Sequence, residues 1–126
     1  MTRKELEVAF HSMLAVLAKV PGITNEMLTF DGTARDLETI GYFYYENVLP
    51  SAFPDSAKAV RYVLARALCI ELGFDWNEES LLTHPSTGLT VDLDSIRPDQ
   101  LKGLETDSVA AAECFESMRT AIARRR

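Results

Sequence analysis

Between Ser56 and Gly73 apolar side chains are too dense for a helix lying loosely on a surface, and this stretch limits what the remaining chain can build. At 100° per residue, Val60, Val63, Leu64, Ala67, Leu68 and Ile70 project onto one broad face. Lys58, Arg61, Tyr62, Ala65, Arg66 and Cys69 project onto the other. The expected element is a helix with a wide buried side, capped by Asp55 or Ser56 and ended by Gly73, which can take the left-handed conformation. Glu71 breaks the pattern, because its direction falls inside the apolar sector. It either frays to solvent or meets an arginine, a tyrosine or a backbone donor, since a buried carboxylate must be paired, hydrogen-bonded or protonated.

A helix this apolar needs partners, and the chain supplies them. Leu6, Phe10, Met13, Leu14, Leu17 and Val20 recur at three- and four-residue intervals, a stripe on a first helix that Pro21 and Gly22 stop. Arg3 and Lys4 precede this segment as in an export signal. Glu5, Glu7, His11 and Lys19 interrupt it at helical spacing, so a folded helix and cytoplasmic residence are the expectation. His11 projects to the solvent edge. Thr33 can cap a second helix with Asp36 returning the interaction from the third position, and Leu37, Ile40, Phe43, Tyr44 and Val48 offer its packing edge before Pro50. Pro50, Phe53 and Pro54 read as an ordered turn.

After Gly73 the pattern changes. Phe74 to Trp76 reads as an extended piece, Leu81 to Thr83 as a short strand and His84 to Gly88 as a turn. Leu89, Val91 and Leu93 then alternate with Thr90, Asp92 and Asp94, the strongest period-two signal in the chain. An isolated hairpin is marginal in water, so its apolar face should lie on a helix. Pro98 opens a short helix to Lys102, Gly103 breaks it, and a last helix capped near Thr106, Asp107 or Ser108 packs through Ala111, Phe115, Met118 and Ile122. The expected fold is α+β and mainly helical: about four main helices with a small antiparallel β-hairpin at their edge, residues 1–126 forming a single compact domain. With 126 residues, 47% of them apolar, a real core is within reach.

Chemistry is less legible. Cys69 and Cys114 stand in different helices with no CxxC pair, so they read as small core hydrophobes. Asp92 and Asp94 with Glu78 or Glu79 make a weak case for a hard cation, lacking any calcium-loop spacing. His84 beside Ser80 and Ser86 is a turn residue rather than part of a triad. The glycines are scattered, without a phosphate-binding loop. No catalytic, cofactor-binding or metal-ligating residue is therefore nominated.

The charge is more informative. Of the formal −6, the excess is concentrated from Glu71 through Asp107, where nine carboxylates face only Arg97 and Lys102. Such a region repels nucleic-acid phosphate and attracts a basic protein surface. The consecutive Tyr42, Phe43, Tyr44 and Tyr45 cannot all point inward from one helix, so part of this aromatic surface should remain at a groove edge. The expectation is a small acidic protein-binding module, in concrete form an immunity or inhibitor protein neutralising a basic partner. Tyr42 and Tyr45 would supply contact area, and Glu78, Glu79, Asp92 and Asp94 would steer the partner. The alternatives are a small enzyme or ligand-binding regulator with a pocket beside the hairpin, using Glu71, His84 or Asp92, and a structural homodimer. Neither nucleic acid nor a membrane is expected as a partner.

Overall fold

The computed structural model describes residues 2–45, 56–95 and 110–125. Four α-helices appear among them: α1 (Arg3–Leu17), α2 (Arg35–Tyr45), α3 (Ser56–Leu72) and α4 (Ala110–Arg124). A three-stranded antiparallel sheet follows α3 in the order β1 (Asp75–Trp76), β2 (Leu81–Thr83) and β3 (Thr90–Asp92). Short 3-10 turns span Glu26–Leu28 and Leu93–Ser95. This is the mainly helical α+β fold that the sequence implies. The Pro50–Pro54 turn with Phe53, the Pro98–Lys102 helix, the Asp55 cap, the caps at 106–108 and the side chains of Tyr44, Tyr45 and Val48 lie outside the described residues.

The central helix is enclosed further than its periodicity indicates. The expected face is buried at Val60, Val63, Leu64, Ala67 and Leu68, but so are Ala59, Ala65 and Arg61. The reason is that α1, α2, α4 and β1 all pack against α3, leaving Tyr62, Arg66 and Cys69 half-buried and no residue between Ala59 and Cys69 fully exposed. Ala65 fits there because it is small. Arg61 is 6% exposed, on the side assigned to water by spacing alone. Ile70 errs the opposite way: it is 57% exposed, covered only in part where its Cδ1 approaches Gly32. Gly73 ends the helix as expected, at φ 78°, and the N–H of Phe74 returns to the carbonyl of Leu68 at 3.2 Å.

On the first helix Leu6, Phe10, Met13 and Leu17 are buried, while Leu14 and Val20 are only half-buried and Ala9 joins the core instead. Thr2 Oγ1 accepts from the N–H of Glu5 at 3.2 Å and caps it. On α2, Leu37, Ile40 and Phe43 face inward. Its amino end differs from the expected cap. Thr33 Oγ1 donates to Asp31 Oδ1 at 2.6 Å rather than accepting from the helix, and Asp36 reaches back to accept from the N–H groups of Gly32 (2.8 Å) and Asp31 (3.1 Å). Folded over in this way, the 31–34 loop lies on the end of α3. Gly32 takes φ 82°, and a Cβ there would overlap Ile70 Cδ1 and crowd the Arg66 guanidinium.

The sheet extends the expected hairpin by one strand, because β1 pairs with β2 through Asp75 opposite Thr83 and Trp76 opposite Leu82. Leu82 and Val91 form a directly opposed pair between β2 and β3, both buried against the helices. Leu89 is half-buried and Leu93, one residue past the strand, is fully enclosed, so the apolar face points inward as its alternation predicts. No helix among the described residues is long and apolar enough to cross a membrane.

Candidate functional site

With Leu37, Ile40 and Phe43 turned inward, α2 must present Arg35, Glu38 and Tyr42 on its other side, since these stand three, four and seven residues apart. Tyr42 keeps 44% of its surface exposed, its ring 5.9 Å from that of Phe43 beneath it. Beside it runs an open groove of about 560 Å³. Glu38, Thr39, Tyr42 and Phe43 form one wall, and Glu26, Met27, Thr29 and Asp31, from the 3-10 turn and its loop, form the other, with Arg35 at the amino-terminal end of α2. Three carboxylates therefore share the groove with one guanidinium. Asp31 is held below its ordinary value of 3.8 chiefly by the Thr33 hydroxyl and amide. Behind it, burial raises Asp36, against the lowering effect of the Gly32 and Asp31 amides. Glu26 and Glu38 make no ion pair or side-chain hydrogen bond with any other described residue.

The other carboxylates singled out from the sequence lie elsewhere. Glu78 and Glu79 line a separate groove of about 640 Å³ with Thr2, Arg3, Lys4 and Glu7. Two cations already stand there. Arg3 donates its backbone N–H to the Glu78 carbonyl at 2.9 Å and sets its guanidinium 4.8 Å from the Trp76 ring, while Trp76 Nε1 donates to the Glu79 carbonyl at 3.1 Å. The segment is thereby tied to the start of α1. Asp92 and Asp94 are exposed, as expected, but serve their own chain. Ser80 Oγ donates to Asp94 Oδ2 at 2.6 Å and lies 3.5 Å from Asp92 Oδ1, which also accepts the N–H of Asp94 at 3.0 Å. The Ser80 hydroxyl is the main cause holding Asp94 below its ordinary value. Of the residues expected to meet a partner, Tyr42 lines one groove, Glu78 and Glu79 another, and Asp92 and Asp94 neither. Tyr42 stands with Glu26, Asp31 and Glu38, and Tyr45 has no described side chain.

Glu71 resolves in favour of pairing. Its Oε1 accepts from the N–H of Ala34 at 3.0 Å and its Oε2 from Arg119 Nη2 at 3.2 Å, with 28% of the side chain exposed. Arg119 also meets Glu116 Oε1 at 3.1 Å, and its guanidinium carbon lies 4.8 Å from the centre of the buried Phe115 ring. A ring and two carboxylates thus hold one cation where α3, α4 and the start of α2 come together. His84 opens the turn, as expected, and is buried there, its Nδ1 2.8 Å from Thr87 Oγ1 and its ring 5.3 Å from Phe74. Burial raises both free thiols, Cys69 and Cys114. Glu71, His84 and Asp92 line neither the groove at Tyr42 nor the one at Glu78 and Glu79.

The spacing of Glu38 and Tyr42 on one outer face was readable from the sequence. The approach of Glu26 and Asp31 was not, because it depends on how the loop before α2 folds back. In comparison with known proteins, no family model, curated relative or solved structure matches the chain.

Proposed function

We propose that this chain is a small acidic protein-binding module that recognises a basic protein, with neutralisation of a basic enzyme, as by an immunity or inhibitor protein, as its concrete form. One observation carries the reading: a half-exposed tyrosine stands over an open groove whose walls hold three carboxylates against one guanidinium. Tyrosine contributes contact area at modest ordering cost, and carboxylates at a groove edge speed and orient the approach of a positive surface. Three further grooves lined by described residues support it less. They are lined by Lys4 and Lys58 with Glu5, by Arg3 and Lys4 with three glutamates, and by Glu116 with Arg124, and none includes an aromatic side chain. Two free thiols suit the reducing cytoplasm, where we place the protein.

Capture of partners by the immobilised chain, at low and moderate salt, tests this reading against a Glu26→Lys/Glu38→Lys variant. The expected result is a basic partner retained by the parent chain, released by salt and lost by the variant. Absence of any partner, or capture indifferent to both charge reversal and salt, removes the proposal.

A further inference from the structure

The cluster at Phe115 supplies a comparison for the groove at Tyr42. In the first, an aromatic ring, a glutamate one residue along the same helix and a glutamate from another helix receive Arg119. In the second, an aromatic ring, a glutamate one turn earlier on the same helix and a glutamate from a neighbouring turn line an open groove. No described cation lies over the Tyr42 ring. Arg35 stands two turns of α2 before Tyr42 and makes no ion pair with a described residue. Asp31 gives its Oδ1 to the amide and hydroxyl of Thr33, so the carboxylates with both oxygens open belong to Glu26 and Glu38.

We infer that the groove between α2 and the 26–31 segment is a socket for an arginine side chain of a basic protein partner, stacked on Tyr42 and held by Glu38 and Glu26. Arginine fits better than lysine on two physical grounds. Its planar guanidinium stacks on an aromatic face, and its fork of donors serves two carboxylates at once, whereas an ammonium is a compact and strongly hydrated charge. The chain's own usage agrees: the three cations set over rings among the described residues, Arg3, Arg66 and Arg119, are all arginines. The inference rests on the acidic-module reading and adds to it the place and the chemistry of the contact.

The test uses the whole chain and two capped peptides, hexa-arginine and hexalysine, followed by amide chemical shifts in nuclear magnetic resonance. Hexa-arginine should give saturable shifts concentrated at Glu26 to Asp31 and Glu38 to Phe43, and hexalysine should bind roughly threefold or more weakly. Tyr42→Leu should weaken hexa-arginine by about fivefold while Tyr42→Phe, which keeps the ring, leaves it unchanged. Glu26→Gln with Glu38→Gln should cost about tenfold, and Glu113→Gln on α4 nothing. Equal affinity for the two peptides together with indifference to Tyr42→Leu overturns the socket. Shifts centred on residues 2–7 and 78–79 overturn it too, but leave a basic partner in place at another surface. No saturable shift with either peptide also overturns it, and the capture experiment then decides the wider reading alone.

Discussion

The Phe115 and Tyr42 regions contain similar parts in opposite states. At Phe115 the ring is buried, both carboxylates are engaged and a half-exposed arginine closes the set, so the cluster ties α4 to α3 and to the loop before α2. At Tyr42 the ring is half exposed and two carboxylates face water without a described partner. The difference shows that residue type alone does not divide scaffold from surface. What divides them is whether the fold itself supplies the opposite charge.

Removing each ring gives the largest separation. Phe115→Ala should destabilise the protein by about 3–5 kcal/mol, since it empties a packed site and strips Arg119 of its support. Tyr42→Ala should cost less than about 1 kcal/mol, and urea denaturation of the two variants measures the gap. Equal losses would mean that Tyr42 belongs to the scaffold. Next comes Gly32→Ala, expected to cost about 1–3 kcal/mol because of its positive φ and the overlap with Ile70. Gly32 lies between Asp31 on the groove wall and Ala34 on Glu71, so the same variant should also weaken the hexa-arginine peptide. Unchanged affinity would uncouple the two regions.

Smaller effects sharpen the contrast among the carboxylates. Glu71→Gln should cost about 1 kcal/mol after allowance for solvent screening, whereas Glu38→Gln should stay within about 0.5 kcal/mol of the parent. The smallest effect is one of pH. Thr33 lowers Asp31, so its contribution is present above the unfolded value near 3.8 and is lost as pH falls through the folded value. Burial raises Asp36, whose contribution has the opposite sign: it is fully present below the unfolded value and lost as pH rises through the folded one. Denaturant midpoints of Asp31→Asn should therefore fall slightly below the parent at neutral pH and meet it in strong acid. A difference that persists in acid would mean that Asp31 acts through packing rather than charge.

Much of the fold was legible because periodicity reports burial directly. The stripe on α1, the inward set of α2 and the Leu89, Val91 and Leu93 alternation all follow from spacing. Spacing failed at Arg61, Ala65 and Ile70, since a single helix pattern does not record how many neighbours surround it or where they stop. The candidate site was half legible. Tyr42 followed from the impossibility of burying four consecutive aromatics, but its acidic companions came from a loop whose path is set by Asp36 and Gly32. The concentration of charge after Glu71 drew attention to Asp92 and Asp94, yet Ser80 and their own backbone engage them. Net charge along a sequence does not show which carboxylates the fold has already answered.

The enclosure of α3 has a consequence for how such a protein can diverge. A change in its middle turns must be accommodated by several neighbours at once, so those positions have little freedom to vary. Arg35, Glu38 and Tyr42 on the outer side of α2 are exposed, and single changes there leave the buried set Leu37, Ile40 and Phe43 in place. Were these residues the contact proposed above, choice of partner and capacity to fold would fall under separate control.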